Sequence, residues 1–172
     1  SSAKLYKGLP DTPGVYLMRS SDGDLLYVGK AVNLKRRVSS YFLRPHDARL
    51  TKLVSLISKI DHQRTDTAIE ALILEAKLIK EHQPPFNILE KDDKSFLYVE
   101  ITGEKFPRIL LVRGKDLKEP TDPKQKKNRR LYGPFTSAAS VREALKLIRR
   151  IFPFNTHAQK DIGKSARPCF DA

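Results

Sequence analysis

The chain has 172 residues, 40% of them hydrophobic and 31% charged, which suits one ordinary domain or two small ones and excludes a disordered composition. Its net charge of +13 indicates a polyanionic partner, nucleic acid first. No apolar run reaches the ~18 residues of a membrane span and the start lacks a signal-peptide core, so we expect a cytoplasmic protein with no membrane segment. The single cysteine, Cys169, excludes an internal disulfide framework.

The chain begins with the pattern of a β-hairpin. The apolar segments GVYLMRS and LLYVGK are separated by the turn signal Asp22-Gly23. Asn33 then stands where a helix over LKRRVSSYF needs its N-cap. Strand, turn, strand and helix are therefore predicted in that order.

The next elements alternate again between helix and strand. Apolar residues at helical spacing predict a second helix over 49–60, and HQRTDT is predicted as a third strand. Asp66 or Thr67 would cap a third helix over about 68–82. We therefore expect an α+β fold with a small central antiparallel three-stranded sheet flanked by helices.

The second half of the chain predicts an appended subdomain. SFLYVEIT and RILLVRG form a second expected hairpin. Residues 115–130 contain two prolines and many Lys and Arg, and are predicted as a solvated loop. A last helix, over about 137–152, has an apolar face and a basic face. A small β-hairpin and helix should therefore follow the sheet.

Glu75 is the most informative position in the third helix. At about 100° per residue it falls inside the apolar face, among Ala71, Leu72, Leu78 and Ile79. A carboxylate buried there must be paired, protonated or bound to a cation. One interpretation is a salt bridge to a nearby arginine. The other is a ligand for Mg²⁺ or Mn²⁺, which take carboxylate oxygen.

Two tyrosines occupy matching places in the first hairpin. Tyr16 ends the tripeptide GVY and Tyr27 begins YVG, so strand pairing brings two phenols onto neighbouring strands. Lys30 follows at once, and Arg37 and Tyr41 share one helix face at a spacing of four residues. Taken alone, strand tyrosines are packing residues and a basic helix is a solvated face. These positions need a second indication before they indicate function.

A family resemblance supplies that indication. GVY followed by YVGKAVNLKRRVSSYF, and then EALILEAKLIKEHQPPFN, resembles the signature of the GIY-YIG nuclease family, and specifically its UvrC branch. The segments KDDKSFLYVEIT, FPRILLVRG and YGPFTSAASVREALKLIRRIFP are similar to those that follow the nuclease domain in that branch.

The resemblance implies a metal-dependent DNA endonuclease with the GIY-YIG fold and one Mg²⁺ or Mn²⁺ ion. By position, it implies that Tyr27 is the general base, that Tyr16 positions the water or the phosphate, and that Glu75 holds the metal. The other implied active-site residues are Lys30, Arg37, Tyr41 and Asn87.

The implied substrate is damaged double-stranded DNA, cut on the 3′ side of the lesion in a complex with UvrB that UvrA has loaded. The basic residues expected to hold DNA phosphates are Lys35, Arg36, Lys126, Lys127, Arg129 and Arg130. The four histidines show no metal-ligand spacing and are expected at the surface.

The resemblance also implies a domain order. Residues 1–92 are expected to form the nuclease domain, 93–156 a basic hairpin-plus-helix region, and 157–172 a tail that leads toward a cysteine-containing region. Thr156-His157 stands where a Thr-Cys pair is common in the family, which puts a cysteine-bound cluster in doubt. We expect the chain to be a fragment of a longer protein.

Two other hypotheses stay open. A non-catalytic module would bind nucleic acid on the same basic surface, but it would have no chemical need for the set of Tyr27, Arg37 and Glu75. A standalone GIY-YIG nuclease, such as a flap or junction cutter, is disfavoured by the segments at 93–156.

Overall fold

The computed structural model describes residues 2–44, 46–88 and 96–156. The chain divides into two compact units, residues 1–92 and residues 93–172, which we call unit 1 and unit 2. Each unit contains a three-stranded antiparallel sheet with helices, so the expected α+β class is confirmed. In the part of the chain that is described, no helix is long and apolar enough to cross a membrane. The expectations for the tail 157–172 fall outside the described residues.

The sheet of unit 1 has the strand order β2-β1-β3, with β1 in the centre and antiparallel to both neighbours. β2 therefore lies at an edge of the sheet. The elements described in unit 1 are, in chain order, β1 (Gly14–Arg19), β2 (Leu25–Ala31), α1 (Leu34–Leu43), α2 (Ala48–Leu56), β3 (Lys59–Arg64), α3 (Ala68–His82) and α4 (Pro85–Ile88).

Local signals in the sequence set the turn and two helix starts as predicted. Gly23 has φ +89°, a conformation that glycine adopts without strain, and it closes the β1–β2 turn. The Asn33 side chain accepts a hydrogen bond from the Arg36 N–H at 2.8 Å, which caps α1. The Thr67 hydroxyl accepts one from the Glu70 N–H at 3.1 Å, so Thr67 rather than Asp66 caps α3.

The prediction for the second helix and third strand was wrong in its bounds. The helix ends at Leu56 instead of residue 60, and β3 begins at Lys59 instead of residue 62. Ile57 and Ile60 continue the apolar spacing of the helix, yet Ile60 pairs with Met18 as a strand residue. Pairing with β1 supplies the backbone hydrogen bonds that a longer helix would have made, and it decides the boundary.

The sheet of unit 1 buries both of its faces. On one face, Tyr16, Met18 and Tyr27 pack in a cluster with residues of α1 and α2, such as Leu34 and Leu53. On the opposite face, the residues that alternate with them pack against α3. These residues are Val15, Leu17 and Val28, with Ala71, Leu78 and Ile79 from α3. The tyrosines and α3 therefore lie on opposite sides of the sheet.

Unit 2 contains the predicted hairpin and one strand that was not predicted. Its strand order is β5-β4-β6, which leaves β5 and β6 at the edges. The described elements are β4 (Leu97–Ile101), β5 (Ile109–Arg113), α5 (Pro123–Asn128), β6 (Arg130–Phe135) and α6 (Ala138–Ile151). The third strand escaped prediction because it contains Gly133 and Pro134, which an edge strand tolerates.

The expectation of a solvated loop over 115–130 was wrong in part. A short helix, α5, forms within it, with Pro123 in its first turn and the Asp122 side chain accepting a hydrogen bond from the Lys124 N–H. Proline at the first helical position and aspartate before it are typical of a helix start. The predicted last helix is confirmed as α6, and the Ser137 side chain caps it.

Burial predicts which leucine of α2 stabilises unit 1. Leu53 has no exposed surface, whereas Leu56 on the same helix is 43% exposed. We expect Leu53→Ala to lower the free energy of unfolding by about 2–4 kcal/mol, because it leaves a cavity in the core. Leu56→Ala is the matched control and should cost less than about 1 kcal/mol. Chemical denaturation followed by circular dichroism measures both, and equal losses would contradict this packing.

Candidate active site

Three tyrosines meet on the α1–α2 face of the sheet. The ring centroids of Tyr16, Tyr27 and Tyr41 are 6.0–6.4 Å apart in every pairing. The hydroxyl oxygens of Tyr16 and Tyr41 share a hydrogen bond at 2.9 Å. The hairpin therefore brings two phenols together as the sequence predicted, and α1 adds a third.

Gly29 makes room for the first of these rings. Gly29 is paired with Tyr16 across β1 and β2. A Cβ atom on Gly29 would lie 2.3 Å from the Tyr16 hydroxyl oxygen and 2.4 Å from its Cζ atom. The glycine that ends the tripeptide YVG is thus required by side-chain packing, because any larger residue would displace the Tyr16 ring.

Burial makes the Tyr16 phenol harder to ionise. Desolvation raises the pKa of Tyr16 well above its ordinary value, and the nearby Tyr27 and Tyr41 raise it further, while Arg37 opposes them. The Tyr16 phenol therefore keeps its proton to a higher pH than an exposed tyrosine does.

Arg37 and His46 flank the third tyrosine. The guanidinium carbon of Arg37 lies 5.3 Å from the centroid of the Tyr41 ring, as their spacing on one helix face predicted. Interaction with Tyr16 is the main cause that holds the pKa of Arg37 above its ordinary value, so Arg37 stays charged. The His46 ring lies 5.7 Å from the Tyr41 ring, and its Nε2 is 3.1 Å from the Tyr41 carbonyl oxygen.

Glu75 lies at the outer edge of β2. Its side chain, on α3, is buried with 3% of the residue exposed. One carboxylate oxygen, Oε1, accepts a hydrogen bond from the backbone N–H of Lys30 at 3.1 Å. The other, Oε2, lies 4.0 Å from the Lys30 ammonium, the outer limit of an ion pair. Lys30 therefore contacts the carboxylate twice, through its backbone N–H and through its ammonium group.

Asn87, on α4, lies at the same edge and is 1% exposed. Its Oδ1 accepts a hydrogen bond from the Val28 N–H at 2.8 Å, and its Nδ2 donates one to the Val28 carbonyl at 2.9 Å. The amide thus pairs with the backbone as a neighbouring strand would. Asn87 holds the backbone of the strand that carries Tyr27.

The arrangement fits a single divalent cation. Mg²⁺ uses one or two carboxylates and keeps several waters. Across the residues that the structure describes, no three His, Cys, Asp or Glu side chains form a metal cluster, so Glu75 would be the protein ligand here. An ion beside Glu75 would compete with the Lys30 ammonium, whose contact with Oε2 is long.

The six expected DNA contacts are divided between the two units. Lys35 and Arg36 are exposed on α1 in unit 1, and the other four belong to unit 2. Arg129 does not fit the expectation, because its side chain is turned inward and pairs with Glu100 at 2.8 Å. Lys126 pairs with Glu119 at 3.0 Å but stays exposed. Lys127 and Arg130 are also exposed.

Sequence reasoning missed two contributors to the site. His46 was expected at the surface, but it is half-buried against Tyr41. Its position before α2 gives no periodic signal, so nothing in the sequence pointed to this contact. The strand-like role of Asn87 was also missed, since it depends on an edge of the sheet 59 residues away along the chain. The histidines His62 and His82 are exposed as expected, and His157 lies outside the described residues.

Two family models match this sequence. Residues 12–88 match the UvrC-like GIY-YIG domain, and residues 96–172 match the middle domain of the UvrC/Cho excinuclease. The two matches fall in the order in which the chain presents units 1 and 2. The chain belongs to the UvrC family.

Curated relatives and solved structures are similar to this chain. UvrABC system protein C of Acetivibrio thermocellus is 44% identical over 171 residues, which cover 96% of this chain and 26% of the relative. The Synechocystis protein of the same name is 45% identical over a match that covers 95% of this chain and 25% of the relative. The chain thus spans about a quarter of these relatives. The GIY-YIG N-terminal endonuclease domain of UvrC from Thermotoga maritima, solved with its catalytic magnesium, is 32% identical over 49% of this chain and 92% of that one, at a TM-score of 0.45.

The Asn87 amide predicts a measurable loss of stability. Asn87→Ala leaves the buried N–H and carbonyl of Val28 without partners, so we expect the free energy of unfolding to fall by about 2–4 kcal/mol. The exposed Asn128→Ala is the control and should change it by less than about 0.5 kcal/mol. Amide hydrogen exchange at Val28 should quicken in the Asn87 variant alone. Unchanged exchange would refute the pairing.

The raised pKa of Tyr16 predicts a pH effect on stability. The folded state keeps the Tyr16 proton above pH ~10, where the unfolded chain loses it. The stability gained by burying the protonated phenol is fully present below pH ~10. Above that pH, the free energy of unfolding falls by up to about 1.4 kcal/mol per pH unit. Tyr16→Phe should remove that part of the alkaline decline, and Tyr132→Phe, at an exposed position, should not. Denaturation midpoints of the unaltered chain and of the two variants are measured between pH 8 and 11. Parallel curves of midpoint against pH for all three proteins would rule out the effect.

Proposed function

We propose that this chain is a divalent-metal-dependent endonuclease module of nucleotide excision repair. It hydrolyses a DNA phosphodiester on the 3′ side of a lesion, in a complex of damaged double-stranded DNA with UvrB that UvrA has loaded. One observation carries the proposal. A buried carboxylate at the edge of β2 and a cluster of three phenols with an arginine belong to one small unit, in a chain of the UvrC family.

Hydrolysis of a phosphodiester needs a nucleophilic water, stabilisation of charge on the phosphate and stabilisation of the leaving alkoxide. Tyr27 takes the proton of the attacking water as the general base. Tyr16 is suited to donating a hydrogen bond to the water or to a phosphate oxygen, because its buried phenol is neutral. The two roles are divided in this way because the positions of Tyr16 and Tyr27 in the GVY and YVG tripeptides match those of the family motif.

Fixed cations stabilise the phosphate. Arg37 stays charged beside the phenols, and Lys30 sits at the β2 edge next to Glu75. Fixed charges of this kind stabilise a transition state without rearranging when charge develops on it. Tyr41 fixes Tyr16 through the shared hydrogen bond, and Asn87 fixes the β2 backbone.

Glu75 would hold the cation, Mg²⁺ or Mn²⁺. A divalent ion bound there would polarise the phosphate and stabilise the leaving alkoxide. The backbone N–H of Lys30 holds one oxygen of the carboxylate, so the side chain is oriented before any ion arrives. This is the preorganisation that a single-carboxylate site needs.

The two units have different proposed roles. Residues 1–92 carry the nuclease chemistry, and residues 93–156 form the basic region that follows it. Five exposed cations are proposed to hold DNA phosphates without reading sequence. They are Lys35, Arg36, Lys126, Lys127 and Arg130.

Incision of a loaded complex tests the proposal. The full chain is added to UvrB on a lesion-bearing duplex with Mg²⁺, and the nick is mapped. We expect a nick on the 3′ side that a chelator abolishes. Glu75→Gln should lower the nicking rate by about 100-fold or more, because the metal ligand loses its charge. Its amide oxygen can still accept the Lys30 hydrogen bond, so the free energy of unfolding should change by less than about 1 kcal/mol.

Glu81→Gln is the matched control, since Glu81 lies exposed on the same helix. It should nick like the unaltered chain. Robust nicking by a folded Glu75→Gln protein would overturn the metal assignment. Salt-dependent DNA binding without a nick under either ion would favour the non-catalytic module, and a nick on undamaged flaps without UvrB would favour a standalone nuclease.

A further inference from the structure

Unit 2 contains a concave basic groove that the proposed nuclease site does not use. The β5–α6 groove, as we call it, is a cavity of about 490 Å³ between strand β5 and helix α6. It is lined by Ile109, Leu111, Arg142, Leu145, Lys146, Arg149, Arg150, Phe154 and Thr156. Four of these nine residues are cationic and none is acidic.

The walls of the groove are held in place by backbone pairing. Ile109 and Leu111 lie two residues apart on β5, so both side chains point to the same side of the strand. After α6, the chain returns to the edge of β5, where the Ile109 N–H donates a hydrogen bond to the Asn155 carbonyl at 3.0 Å. This contact places Phe154 and Thr156 at the groove.

Three of the four cations, Arg142, Lys146 and Arg150, lie at a spacing of four residues on α6. They follow one another along two turns of α6, where like charges at a spacing of four residues repel each other. No described carboxylate lies within 4.0 Å of Arg142, Lys146 or Arg150. The Arg149 guanidinium carbon lies 5.8 Å from the Phe154 ring centroid. The groove is therefore complementary to a chain of negative charges.

We infer that the β5–α6 groove binds a single strand of nucleic acid. Phosphates along the strand contact Arg142, Lys146 and Arg150 at the rim. A base lies over the apolar floor and the Phe154 ring, where stacking does not depend on base identity. A duplex would engage the rim alone, because its base faces are covered. Binding of this kind needs neither a metal nor cleavage, so it stands independently of the proposed nuclease activity.

Salt-dependent binding in chelator tests the inference. The full chain is titrated against a labelled oligothymidylate of about 12 nucleotides. The triple variant Arg142→Gln, Lys146→Gln, Arg150→Gln should bind about tenfold more weakly, and the slope of log K against log salt should fall by about 2. The matched control replaces Lys105, Lys115 and Lys118, which are exposed elsewhere in unit 2, by Gln. It removes the same charge and should change the slope much less.

Two further measurements distinguish a single strand of nucleic acid from other ligands of the groove. Phe154→Leu should weaken oligothymidylate binding about fivefold or more and leave duplex binding unchanged, because only an exposed base can stack. Lys146→Arg, which keeps the charge, should bind like the unaltered chain. Equal slopes for the two triple variants would overturn the inference, as would equal losses for duplex and single strand in the Phe154 variant. Competition by polyglutamate as strong as that by oligothymidylate would assign the groove to an acidic polypeptide instead.

Discussion

The outer edge of β2 is closed by two side chains in place of a fourth strand. The Asn87 side chain forms hydrogen bonds with both the N–H and the carbonyl of Val28. The Glu75 carboxylate accepts one from the N–H of Lys30, two residues further on. In an antiparallel sheet, backbone groups two residues apart point to the same side, so α3 and α4 together cover one edge. An uncovered edge strand is free to pair with another chain. Here the covering groups are polar, and one is a carboxylate, so the constraint that protects the sheet also places a negative charge beside Lys30.

The phenols on the α1–α2 face depend on that strand. β2 carries Tyr27 and Gly29, and Gly29 leaves the space in which the Tyr16 ring lies. Tyr41 joins them from α1 through its hydrogen bond with Tyr16. Each ring is thus packed against its neighbours, which limits the positions that it can adopt. Burial has a chemical effect too, because it raises the pKa of Tyr16.

In unit 2, a run of basic residues in the sequence does not place all of its charges at the surface. Arg129 belongs to the most basic run of the chain, yet it lies inside the unit and pairs with Glu100. The cations of α6 are more widely spaced in the sequence, and the helix gathers them along one groove. Steering of a polyanion depends on where fixed charges gather in space, so a basic run in a sequence is a weaker indicator than a basic helix face.

The sequence by itself determined the α+β class, the first hairpin, the starts of α1, α3 and α6, and the burial of Glu75, because turn residues, caps and helical periodicity act over a few neighbouring positions. The resemblance of its motifs identified the family. Only the tertiary structure decided the start of β3, the existence of β6, the contact of His46 with Tyr41 and the choice of Lys30 as partner of Glu75. Each of these rests on residues distant in the chain or on strand pairing, and no local spacing encodes which edge a side chain will cover or which charge it will meet.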